Sequence, residues 1–305
     1  MTRTTNAVIL AKIEGTYGVS SAPTGVDAMT IAGTLTYPEL VSEMVALDRV
    51  RTTFGSQQMV AAGNHHHELT LEFEVAASGT AGTAPALDPV MRACGMAKTT
   101  TTGTSVRYTP ATTGHESVTV GWFCDGFRVE TPGWRGSPTI TLQNNQIGRL
   151  SIPGRGLYTA PTDTALPAPQ YTFPATPQAV SVDNTLDLSL LGFACVMDSF
   201  TFNAGVETTF VARPNGTRQV LITASNASGE ITIENPTVAQ KNYVNDVLAG
   251  TVGSFSLRQG IAAGSRFGIN SSQVQVMQPR YSTDANNILM LTLGLNFMNY
   301  DITLS

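Results

Sequence analysis

The chain has 305 residues, 42% of them apolar, enough for one large or two ordinary domains with buried cores. Charged residues make up 13% of it, roughly half the ~25% usual in soluble domains, and the formal net charge is −5. That balance excludes a basic surface for gripping nucleic acid or anionic lipid, and it points to a surface partly covered by partners.

The first apolar stretch, Ala7 to Ala11, is broken by Lys12 and Glu14. It is too short for a signal peptide's apolar segment or a membrane span, so no membrane insertion is expected. Residues 45–67 are polar and poorly periodic, and read as a long loop that reaches a neighbouring subunit, with Arg49, Arg51, Phe54, Gln57 and Met59 as its candidate contacts and a mobile surface excursion as the alternative. His65, His66 and His67 close it. Imidazoles at i and i+2 share one side of a strand, but no third ligand is identifiable, so a polar loop end is the simpler reading than a metal site.

From Leu69 to Val75 apolar and polar residues alternate, which predicts a strand with one covered face. Leu87, Val90, Met91 and Cys94 then recur at helical spacing, with Asp88-Pro89 at the start and Gly95 at the end. A Thr-rich insertion from Lys98 to Glu116 leads to strands SVTVGWF, SPTITLQ and RLSIPGRGLY. Asp125-Gly126 predicts a hairpin turn. Around it Trp122, Phe123, Phe127 and Trp134 read as packed hairpin ends, with a carbohydrate-stacking platform as the alternative. Pro161, Pro167, Pro169, Pro174 and Pro177 mark an extended, stiff connector.

Beyond the connector the order recurs. GEITIEN is a strand, Asn235-Pro236 to Gly250 bounds a helix with an apolar stripe of Val244, Val247 and Leu248, and SFSLRQG, SQVQVM and ILMLTLGLNFM are further strands. The expected fold is mainly β with short helices (α+β). It divides into two tandem sandwich or barrel domains with separate cores, residues 1–158 and 185–305, joined by a connector at 159–184, each with a helix packed on its sheet. Cys94, Cys124 and Cys195 are too few and too widely spaced for a disulfide framework, and Cys94 reads as a small buried hydrophobe.

No Gly-x-Ser-x-Gly elbow or phosphate loop is present, and no catalytic, metal or cofactor-binding residue is assigned. Three stretches, Ala11 to Gly25, Leu71 to Gly95 and Asp125 to Tyr158, resemble the major tail tube proteins of long-tailed, non-contractile bacteriophages. The resemblance implies a non-enzymatic virion protein without cofactors, made in the host bacterial cytoplasm. It implies self-assembly into stacked rings around a channel for DNA and ejected proteins, with tape-measure, tail terminator and distal tail proteins as partners.

Two tube domains per chain would make a three-chain ring with pseudo-sixfold symmetry, the favoured arrangement; one would make a hexamer. Residues Glu72, Glu74, Glu230 and Glu234 alternate with core positions and are the candidate lumen-facing acids, set against an ordinary solvated face. A wall without Lys and Arg lets DNA pass without tight binding. On this reading the contacts at Arg49, Arg51, Phe54, Gln57 and Met59 lie between rings. The competing functions are a carbohydrate-binding or adhesive β-sandwich and another virion component, such as a decoration or tail completion protein.

Overall fold

In the computed structural model residues 6–33, 36–47 and 60–305 are described. The first half contains β1 (Ala7–Ile13), β2 (Glu39–Ala46), β3 (Val60–Glu74), α1 (Asp88–Ala93), β4 (Met96–Thr101), β5 (Ser105–Pro110), β6 (Val118–Cys124), β7 (Phe127–Gly136), β8 (Thr139–Gln143), β9 (Arg149–Leu157) and β10 (Thr162–Asp163). The second contains β11 (Thr185–Leu190), β12 (Phe193–Ala194), β13 (Met197–Asn203), β14 (Val206–Val211), β15 (Gln219–Ser225), β16 (Ser228–Glu234), α2 (Tyr243–Ala249), β17 (Val252–Gln259), β18 (Phe267–Thr283), β19 (Leu289–Phe297) and β20 (Asp301–Leu304). The protein is mainly β, with two short α-helices among the described residues, and its sheets are antiparallel.

Two strand arrays run in the same order. In the first half β2 pairs with β3, β3 with β9, β9 with the end of β7 and with β8, β7 with β6, and β6 with β1. In the second half β13 pairs with β16, β16 with β19, β19 with β18, β18 with β17, and β17 with β11. The bent run β7–β8 therefore occupies the place of the single long strand β18. The arrays are joined edge to edge where β8 pairs with β13, from Thr139 opposite Asn203 to Gln143 opposite Ser199. A second link is β20, which lies between β18 and β5.

Alternation decides which face is covered. Leu69, Leu71 and Phe73 of β3, Ile140 and Leu142 of β8, Phe200 and Phe202 of β13, and Ile231 and Ile233 of β16 all turn to the same side and are buried. The buried apolar side chains of the two halves are consequently continuous. Trp134 is fully buried against β9 because two glycines make room for it. A Cβ on Gly154 would stand 2.3 Å from the indole, and one on Gly156 would stand 3.2 Å from the Trp134 backbone.

Several sequence expectations need correction. The ends of the expected 45–67 loop are paired strand instead, with β2 running to Ala46 and β3 starting at Val60, and the three histidines lie inside β3. Residues Arg49, Arg51, Phe54, Gln57 and Met59 fall outside the described residues. The second helix starts at Tyr243, not after Asn235. Pro236 leads only into a turn, in which the Gln240 side chain caps Thr237, and it is Asn242 that accepts from the Asn245 N–H at 3.0 Å. Its predicted stripe is largely outward: Val244 is 39% and Leu248 82% exposed, while Tyr243 fills the core. The predicted left-handed stop at Gly250 is present, with φ 66°.

Candidate functional site

Opposite the core lies a polar sheet face that crosses both arrays. On β3 it carries Glu68, Thr70, Glu72 and Glu74; on β8 and β13, Thr139, Thr141, Gln143, Ser199, Thr201 and Asn203; on β16, Glu230, Thr232 and Glu234. The four candidate acids thus share one face, in two clusters. Between β3 and β16 lie β9, β8 and β13, so four strand spacings, about 19 Å, separate the clusters. Glu230 and Glu234 are exposed, whereas Glu72 and Glu74 are partly covered. Glu74 edges a groove lined also by Met29, Tyr171 and Phe173.

Arginines on this face are matched by carboxylates. Arg155 Nε lies 2.7 Å from Glu68, Arg280 is paired with Glu230, and Arg149 stands opposite Glu74 in the ladder. Such exposed pairs add little stability, but they leave little free positive charge for a phosphate. The chemistry of the surface is that of hydroxyls, amides and compensated charge.

A second constellation, unmarked by any sequence motif, clasps the β14–β15 hairpin to the first half. The Arg135 guanidinium donates to the carbonyl oxygens of Glu116 (3.0 Å), Val220 (2.6 Å) and His115 (2.7 Å), and its face lies 4.7 Å from the Tyr17 ring. Burial holds the Arg135 pKa below its ordinary value, and pushes the Tyr17 phenol up. Next to them the buried Glu14 carboxylate accepts from Ser117 Oγ, Thr119 Oγ1 and the backbone N–H groups of Gly18 and Gly133. The only sequence hint was the Gly-Trp-Arg-Gly run at 133–136.

The three histidines join this clasp. His66 stacks on Phe210 of β14 at 4.6 Å, and His65 and His67 meet Tyr158 edge-on. His67 is buried and shares a hydrogen bond with Thr131; burial, then the neighbouring His66 and His65, lowers its pKa to about 4. His65 Nδ1 lies 3.3 Å from the Gly63 carbonyl oxygen and its Nε2 3.1 Å from Arg218, while His66 Nε2 is buried 3.5 Å from Glu68. The aromatic residues that suggested a stacking platform face inward: Trp122, Phe123 and Trp134 are buried, on either side of a turn in which Asp125 (φ 41°) and Gly126 (φ 89°) are both left-handed. Cys94 is fully buried, which pushes its thiol up, and no disulfide forms among the described residues.

Among the strand edges that carry no partner strand in the described residues, two lie at the ends of the polar face. One is the outer side of β2, whose Leu40, Met44 and Val45, with Val60 across the hairpin, are each more than half exposed. The other is the end of β18 from Arg280 to Thr283, opposite its pairing with β19. No helix among the described residues is long and apolar enough to cross a membrane.

A family model described as phage tail tube protein matches residues 4–297, nearly the whole chain. No individual curated protein matches it.

Proposed function

The chain belongs to the phage tail tube family, a structural and non-enzymatic family of the virion tail, and from that premise we propose that three copies close into a ring with six equivalent units. Rings of this kind stack into the tube of a long, non-contractile tail. The observation that carries the proposal is the repeated strand order, β2-β3-β9-β7/β8-β6-β1 in the first half and β13-β16-β19-β18-β17-β11 in the second. Each array, residues 1–158 and 185–305, acts as one tube domain, with the connector at 159–184 laid over both. Gln170 N–H bonds Gly25, Ala175 N–H bonds Ala77, and the Gln259 side chain bonds Gln178 and Ala179.

On this reading the polar sheet face lines the channel, with Glu72, Glu74, Glu230 and Glu234 on its wall. Compensated arginines let DNA pass without being held. The tape-measure, tail terminator and distal tail proteins meet the ends or the interior of the tube, and assembly takes place in the host bacterial cytoplasm. The inter-ring contacts are proposed for Arg49, Arg51, Phe54, Gln57 and Met59, which lie in sequence between β2 and β3.

Native mass spectrometry of isolated rings, with class averages from electron microscopy, tests the stoichiometry. Three chains and six density lobes around a hole are expected. Six chains per ring would replace the duplicated-unit reading with one tube domain per chain, and discrete particles without a hole would remove the ring itself.

A further inference from the structure

The chain contains its own template for the contact between copies. Inside it, one edge of the first array's polar face (β8) meets one edge of the second's (β13), which leaves β2 and the end of β18 as the outer edges of that face. Matching Leu71 with Ile231 and Phe73 with Ile233 aligns the two arrays strand by strand. Under that alignment Thr139–Leu142 of β8 corresponds to Arg280–Thr283 of β18, through the pairs Thr139–Ser151 and Arg280–Thr292. Phe200–Asn203 of β13 corresponds to Thr36–Glu39, through the pairs Asn203–Ser228 and Glu39–Glu68.

We propose that Thr36–Glu39 of one copy pairs antiparallel with Arg280–Thr283 of the next, in the register that β13 and β8 use within the chain. Pro38 then stands opposite Tyr281, and Glu39 opposite Arg280. This rests on the ring reading above and adds to it which edge meets which, and in what order. A contact between different edges is heterologous, and closes into a ring when its rotation closes.

Three observations support it. The backbone groups face the right way. The Asp284 N–H bonds Ile288 O, so alternation directs the N–H and C=O of Tyr281 and Thr283 away from β19. Ala32 N–H bonds Glu72 O, and Val75 N–H on the other side bonds Gly148 O, so Glu39 faces β3 and the Pro38 carbonyl faces out, able to accept from Tyr281. Burial differs as an unfilled contact requires: Ile140 and Leu142 are fully buried under β13, while the corresponding Tyr281 is 57% exposed, as is 54% of Tyr37 on the opposing edge. Charge is complementary too. Residues 36–46 hold Glu39 and Glu43 and no cation, and residues 272–283 hold Arg280 and no acid.

Glu39 and Arg280 fall at a rung where neither backbone bonds across the seam, the closer kind of pair, with Cα atoms within disulfide reach. The test is the full chain carrying Glu39→Cys and Arg280→Cys, assembled, oxidised and run on a non-reducing gel. A reversible ladder of covalent oligomers is expected, with the single variants and the parent chain staying monomeric. Intact rings from the double variant without cross-links would overturn the seam while leaving the ring standing; a parent chain that forms no rings would instead sink the ring reading. If the cysteine variant does not assemble, charge exchange decides. Glu39→Arg alone should raise the concentration needed for assembly about tenfold, and adding Arg280→Glu should restore it. A double exchange no better than the single one would rule the pairing out.

Discussion

A single buried imidazole makes the stability of this protein depend on acidity. His67 lies against Tyr158 and Thr131, and its pKa falls from 6.5 to about 4 because burial, then His66 and His65, disfavour the charged ring. Between those values the unfolded chain binds a proton that the folded chain refuses. Stability from this group is therefore complete above pH ~6.5 and is lost as pH falls towards 4, by about 2–3 kcal/mol over the whole range. Urea midpoints of the unassembled chain at pH 7.5 and 5 measure it. The drop should be smaller in His67→Gln, and an equal drop in both proteins would assign the acid sensitivity to other groups.

Among the elements, the β14–β15 hairpin depends most on one side chain. Arg135 reaches it from β7, tying Val220 of β15 to Glu116 and His115 of the first half through three carbonyl acceptors. Arg135→Met keeps most of the side-chain volume but removes those donors, at a cost on the order of 3 kcal/mol. Hydrogen exchange should rise across Val206–Ser225 while β16 and β19 remain protected; a uniform rise would mean that the clasp is not local. The same region shows why the sequence was only partly legible. Strands with one covered face, such as Leu69–Val75 and Leu289–Phe297, were readable because alternation records the core directly. β2 was not, since its pattern is exposed on both sides and its meaning lies in what it pairs with. The α2 boundary was missed because Asn235-Pro236 imitates a helix start, whereas the Asn235 N–H is bonded to Leu289 O across the sheet. The polar face could be read as alternating acids on each strand, but its continuity could not, because the β8–β13 junction joins residues far apart in sequence. Only the strand partners reveal that the two acidic clusters share one surface.

At the scale of the molecule, low charge, open edges and a polar sheet face are parts of one problem. A sheet with unpaired edges invites association, and a tube must direct that association into a closed ring while keeping its inner wall from binding the polymer that passes. The wall proposed here meets the second demand by having few unmatched cations: Arg155 and Arg280 are already held by Glu68 and Glu230. Reversing Glu72, Glu74, Glu230 and Glu234 to Lys changes the balance without touching the core face. It also frees Arg280 from its carboxylate. Because these residues recur in every chain of every ring, the wall becomes a continuous polycation, and DNA within it gains affinity with the steep salt dependence of counterion release. Tubes of the variant should retain double-stranded DNA at low salt and release it as salt rises, with ejection slowed in between, while parent tubes retain none. Assembled variant tubes that pass DNA as the parent does, at every salt concentration, would put these four carboxylates on the outside of the tube and leave another surface to line the bore.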